Sequence, residues 1–296
     1  GDIIGLKGSL FRSKRGELTL KVIEATLLTK SIHPLPEKYH GLKDKELRYR
    51  KRYVDLIANP DVLNTFQTRS QIVQFIRQFL INDQFIEVET PVLQSIYGGA
   101  SARPFQTYHN ELEQDLFLRI ALELPLKRLI VGGFERIFEI GRVFRNEGVS
   151  YKHNPEYTLL ELYQAYADYE DIMILTENLI SNLVKHVHGT TEIEYQGTKI
   201  DFKVPFQRLK LGDALQQYAG INLEDDIETL RQKAKELGLE TYDTALKGQL
   251  INFIYDKACE PQLTQPVFIV DYPWETSPLA KRKRDNDQLV ERFELI

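Results

Sequence analysis

The chain has 296 residues, 42% of them hydrophobic, enough for one large domain or a domain with an appendage around a sizeable core. With 38 basic against 43 acidic side chains the formal charge is -5, which excludes indiscriminate coating of nucleic acid and confines any RNA contact to local patches. One cysteine, Cys259, excludes an internal disulfide framework and cysteine-based zinc sites, and with no long apolar run and no leader pattern in "GDIIGLKGSL" the expected location is the cytoplasm.

Residues 1–30 alternate polar and apolar around Lys14-Arg15-Gly16 and predict a hairpin of short strands, too few to close a core. They read as the tail of a β-domain. Residues 31–60 carry prolines and a dense charge run, as a linker or extended arm would, and 61–296 form the main domain. Apolar positions Ile72, Phe75, Ile76, Phe79 and Leu80 recur at helical spacing, and "FIEVETPVL" then alternates as a strand until Pro91. After Gly98 and Gly99, "LFLRI" predicts a strand, and Pro125 suits the first residue of a helix.

"RIFEIGRVFRNEG" alternates over a full strand. Its even positions Phe138, Ile140 and Phe144 are expected to face a core and its odd positions Glu139, Arg145 and Glu147 a polar ligand. "PEYTLLELYQAYADY" fits either strand or helix; as a strand it puts Tyr157, Glu161 and Tyr163 on one face, with "VSYKHN" as the connecting loop. Helical periodicity returns in "EDIMILTENLISNLVKHVHG" and twice or more between Asp213 and Ala258. "PVFIVDYP" and "LVERFELI" read as strands. Hairpins among long helices predict an α+β fold, an antiparallel or mixed sheet flanked by helices. Neither glycine-rich nucleotide loop, Gly-x-Gly-x-x-Gly or Gly-x-x-x-x-Gly-Lys-Ser/Thr, is in the sequence.

Charge alternating with apolar residues is what any half-exposed strand shows. Glu161 is different, because Leu159, Leu160 and Leu162 surround it, and a carboxylate in such a setting is paired or protonated. A cationic ligand is one such partner. His186 and His188 point apart on a helix and read as surface residues rather than metal ligands.

"FIEVETPVL" and "FRNEGVSYKHNPEYTLLELY" resemble the first two signature motifs of class II aminoacyl-tRNA synthetases, and "GGASARPF", "LRIALELPLKRLIVGGFERIFEIGRVFRNEG" and "SPLAK" are similar to the lysine-specific branch, across the whole chain. The resemblance implies a class II antiparallel sheet flanked by helices, preceded in residues 1–30 by the last strands of an OB-fold anticodon-binding barrel. It implies ATP, Mg²⁺, L-lysine and tRNA(Lys) as reactants and partners, and a homodimer formed through the first motif.

It also implies roles. Arg145 would bridge the α-phosphate and the substrate carboxylate; Glu147 and Asn154 would lie at the adenine, His153 near the terminal phosphates, and Tyr157 would stack on the base. Gly99 and Glu123 would receive the α-ammonium, Glu161 and Tyr163 the side-chain ammonium, and Glu294 would bind Mg²⁺. Charge logic agrees, since a carboxylate with a hydroxyl neighbour has the right sign for lysine. The family's third motif and the Asn-x-Phe-x-Glu region are not in this sequence, so the 296 residues alone are expected not to activate lysine. Two alternatives stand beside this reading: a paralogue that lysylates elongation factor P, and a synthetase-like module without catalysis.

Overall fold

The computed structural model describes residues 1–33, 35–36, 42–150, 153–240 and 243–296. The chain divides into two compact units, Gly1–Gln71 and Ile72–Ile296.

In the first unit β1 (Ile3–Arg12) and β2 (Leu18–Thr29) form an antiparallel ribbon, turned at Gly16, whose φ of 83° suits glycine. Two strands cannot bury their own apolar side chains, and Leu10, Leu18, Ile23 and Leu28 are exposed. The charge run is not an extended arm. It folds into α1 (Lys45–Arg50), capped by Asp44, and α2 (Arg52–Ala58). These helices are clamped by Asp55, fully buried, which accepts hydrogen bonds from Arg48 at 2.7 Å and Asn59 at 2.6 Å and pairs with Arg52. Helix α3 (Pro60–Asn82) begins at a proline, whose missing N–H would have had no helical partner.

In the second unit come β3 (Ile86–Glu87), β4 (Leu93–Gln94), β5 (Gln106–His109), β6 (Gln114–Leu118), α4 (Glu123–Val131), β7 (Arg136–Phe144), β8 (Glu156–Gln164) and α5 (Tyr169–His188). They are followed by β9 (Glu192–Tyr195), β10 (Thr198–Asp201), β11 (Gln207–Lys210), α6 (Leu211–Ala214), α7 (Ile227–Glu236), α8 (Lys247–Ile254), β12 (Val267–Pro273) and β13 (Leu289–Leu295). The sheets β3-β7-β8 and β11-β12-β13 each join one parallel and one antiparallel pair, so they are mixed, while β4-β6-β5 is antiparallel. A separate core of α6, α7 and α8 packs against β12.

Three local expectations need correction. The "FIEVETPVL" strand is interrupted: only Ile86–Glu87 and Leu93–Gln94 are paired, and between them the carbonyls of Thr90 and Val92 accept hydrogen bonds from Arg119. Helix α4 starts at Glu123, so Pro125 is its third residue, still within the first turn, where no N–H is needed. The odd face of β7 is not open to a ligand. Ile137 and Val143 pack there with Leu122 and Leu126, Glu139 is buried, and Arg145 and Glu147 lie past the strand's end. On the even face Phe138 and Ile140 pack on Leu80 and Phe85 as expected, whereas Phe144, half-buried at the strand's end, lies outside that core.

Candidate functional site

The hairpin of β7 and β8 sets the frame. In its register Ile137 faces Tyr163, Glu139 faces Glu161 and Val143 faces Tyr157, so Tyr157, Glu161 and Tyr163 share a face of the β8 strand. Helix α4 covers part of that face and the strap 119–123 leads into it.

Glu161 is held by two donors. Its Oε1 accepts the Leu122 backbone N–H at 3.0 Å and its Oε2 the Tyr163 hydroxyl at 3.1 Å. Burial, and then the charges of Glu161 and Glu123, push the Tyr163 phenol up, so it remains a donor at neutral pH. Among the described residues no basic side chain forms an ion pair with Glu161. Glu123 starts α4 and pairs with Lys127 at 2.6 Å. Gly99 lies against it: a β-carbon at Gly99 would sit 2.8 Å from that of Glu123, and its φ of 86° belongs to glycine. The structure therefore brings the half-buried Glu123, Glu161 and Tyr163 together as an acidic cluster, with the exposed Gly99 against Glu123.

Arg145 follows directly on β7, its N–H bonded to the Pro155 carbonyl at 2.8 Å. Its Nε donates to the Ile120 carbonyl at 3.3 Å, and its guanidinium lies 5.4 Å from the centre of the Tyr157 ring. Tyr157 itself leans on the Leu122 and Val143 core. The strap thus carries one backbone group to Arg145 and another, two residues on, to Glu161.

The remaining expected residues stand apart. Glu147, His153 and Asn154 are exposed. His153 is tied into its own loop, its Nδ1 2.8 Å from the Ser150 hydroxyl and its N–H on the Ser150 carbonyl. Residues 151 and 152 of the same "VSYKHN" loop fall outside the described residues. Glu294 lies on β13, in a different sheet from the β7 strand that Arg145 follows, and is paired with Arg292. Among the described residues no three His, Cys, Asp or Glu side chains gather as a metal site. His186 is exposed and stacks on Phe75, 4.8 Å between ring centres.

Several participants carry no side-chain signal. The Ile120 carbonyl and the Leu122 N–H are backbone groups in an apolar run. Arg119 did have a signal: a lone arginine inside "LFLRIAL" must be paired once buried. Its partners are Glu139 at 2.6 Å and the carbonyls of Thr90 and Arg142. No helix among the described residues is long and apolar enough to cross a membrane.

Residues 44–296 match the family described as tRNA synthetases class II (D, K and N). A lysine–tRNA ligase of Thermoanaerobacter sp. (strain X514) is 54% identical over 297 residues, covering 99% of this chain and 59% of that protein. The lysine–tRNA ligase of Moorella thermoacetica is 52% identical, covering 99% and 60% respectively. That of Pelotomaculum thermopropionicum is 53% identical, covering 100% and 59%. The chain spans about 59% of the length of such relatives. The family match over most of the chain, residues 44–296, shows that this chain belongs to the class II tRNA synthetases of the D, K and N group.

Proposed function

We propose that the chain carries the activation site of a lysine–tRNA ligase, in which L-lysine and ATP form lysyl-adenylate and pyrophosphate before the lysyl group passes to the 3′ end of tRNA(Lys). The observation that carries this reading is Glu161, half-buried, bonded by Leu122 N–H and Tyr163, and with no cation paired to it among the described residues. A cluster with two carboxylates, Glu161 and Glu123, suits a substrate with two ammonium groups. A substrate with an acidic or amide side chain would leave Glu161 without a cation. A charged hydrogen bond nets roughly 1.5–3 kcal/mol, and an uncharged analogue would leave the carboxylate unpaired.

On this reading the substrate supplies the nucleophile. A carboxylate oxygen of lysine attacks the α-phosphorus, the bond to the pyrophosphate oxygen breaks, and Arg145 at the strand end offsets the developing charge. A bidentate guanidinium suits both the carboxylate and the phosphate. The Ile120 carbonyl orients Arg145, and Tyr157 supports its guanidinium from the core side. Glu147, His153 and Asn154 would meet the nucleotide from their loop, and Gly99 would leave room for the α-ammonium above Glu123. Magnesium would arrive with ATP. A single carboxylate, Glu294, paired here with Arg292, is compatible with a site for it together with the phosphates, and no step is assigned to that ion.

Residues 1–30 fit the end of an OB-fold barrel, since their ribbon leaves apolar side chains uncovered, and 61–296 would be the catalytic domain joined by 31–60. A homodimer through α3 and the 86–94 segment completes the proposal. The names of the relatives favour neither a lysyltransferase for elongation factor P nor an inactive module. The test is calorimetric titration of the full-length protein with L-lysine and with norleucine, followed by lysine-dependent ATP–pyrophosphate exchange. Preference for lysine and exchange are expected; equal affinity for the two amino acids would contradict the reading.

A further inference from the structure

The strap between β6 and α4 is sealed from solvent: Arg119, Ile120, Ala121 and Leu122 are 3%, 0%, 3% and 0% exposed. Its backbone serves both halves of the site, through the Ile120 carbonyl on Arg145 and the Leu122 N–H on Glu161. Hydrogen bonds weaken steeply with distance and angle, so both partners depend on where the strap lies. The side chain that anchors it is Arg119.

The Arg119 guanidinium pairs with Glu139 at 2.6 Å, both side chains 4% exposed. Its Nε donates to the Arg142 carbonyl at 2.8 Å, and its Nη1 to the Thr90 carbonyl at 3.0 Å and the Thr90 hydroxyl at 3.3 Å. The Thr90 hydroxyl in turn donates to Glu139 Oε2 at 2.6 Å. The Arg119 backbone adds an N–H to the Val92 carbonyl at 3.0 Å and accepts the Phe144 N–H at 2.9 Å. Gly141 makes room, since a side chain there would collide with Arg119 Nη2. The arginine therefore ties the strap to β7 on one side and to the 90–92 segment on the other.

A buried ion pair is weak evidence of stability, because desolvation offsets the attraction. What a guanidinium fork with several fixed acceptors supplies is orientation. We infer that Arg119, braced by Glu139 and Thr90, is a positioning residue: it sets the strap that orients Arg145 and Glu161 together, and so couples lysine selection to nucleotide handling. This rests on the lysine reading above.

The test uses full-length protein with Thr90→Val and Arg119→Lys, Thr90→Ser as the conservative variant, and Ile254→Val in the separate α8 core as a stability control. Affinities for L-lysine and norleucine and the KM for ATP in exchange are measured for each. The lysine-to-norleucine affinity ratio is expected to fall about fivefold in Thr90→Val and further in Arg119→Lys, with the ATP KM rising in both and Thr90→Ser near the parent protein. Ile254→Val is expected to lower the melting temperature and leave the ratio alone, because partial unfolding scales both ligands equally. Should Arg119→Lys fail to fold, Thr90→Val decides. An unchanged ratio in the folded variants overturns the inference while the lysine reading stands. No lysine preference in the parent protein overturns that reading and the inference with it.

Discussion

Glu139 and Glu161 lie directly opposite each other on β7 and β8, yet separate donors serve their side chains. Like charges at facing positions destabilise a ladder unless each is compensated. Glu139 has Arg119 and Thr90, all inside the protein, whereas Glu161 has a backbone N–H and a phenol but no cation among the described residues. The ladder thus contains one carboxylate neutralised by an arginine and one that no cation among the described residues neutralises.

Glu161→Gln separates these two fates. The amide retains an oxygen for Leu122 N–H, so the melting temperature should change little. Lysine affinity should fall by about one to two orders of magnitude, from the loss of a charged hydrogen bond of roughly 1.5–3 kcal/mol. Norleucine affinity should hold or rise. Titration of both ligands checks this, and undiminished lysine binding would remove Glu161 from lysine recognition.

Arg145→Ala should act mainly on turnover. Loss of a group that offsets charge in the transition state costs about 10²–10³ in kcat. Lysine binding by the ground state should weaken less, since the acidic cluster of Glu123 and Glu161 is intact. Exchange kinetics against calorimetric lysine affinity make the comparison, and equal losses in both would indicate uniform binding instead.

Gly99→Ala combines two faults. The new methyl group would meet Glu123 and Ala121 at 2.8 and 3.2 Å, and φ of 86° is unfavourable for alanine. A destabilisation of about 1–3 kcal/mol is expected, together with weaker lysine binding as Glu123 is displaced. Gly133→Ala, whose β-carbon would meet nothing within 4 Å, shares the backbone penalty without the collision. Thermal melts and lysine titration of the pair distinguish strain from displacement.

The legible part of this protein was what periodicity and charge reveal. Helix α3 and strand β7 follow from spacing along a single segment; the β8 segment fits strand or helix equally by spacing, and its pairing with β7 makes it the strand that puts Tyr157, Glu161 and Tyr163 on one face. The errors came from segments that meet only in three dimensions. Alternation placed Glu139 on an open face, but the strap and α4 cover that face, and Arg119 supplies the counter-charge. The same arginine draws the Thr90 and Val92 carbonyls to itself, which is why the strand expected around Pro91 is interrupted. The Ile120 carbonyl and Leu122 N–H were invisible for a simpler reason: a backbone group looks the same in every residue.

Acid stability should depend on Glu177. This carboxylate, buried on α5, accepts Arg208 at 2.5 and 3.1 Å and the Phe206 N–H at 2.9 Å. Burial pushes its pKa up, but the bonds from Arg208 and Phe206 outweigh it and hold the group below the ordinary range. A folded-state pKa below the unfolded value of about 4.3 means that its contribution is fully present above that value and is lost as pH falls through the folded one. Melting temperatures from pH 7 to pH 3 should therefore fall less steeply at the acid end in Glu177→Gln than in the parent protein, from a lower starting point at pH 7. Parallel acid limbs would mean that other carboxylates govern the loss.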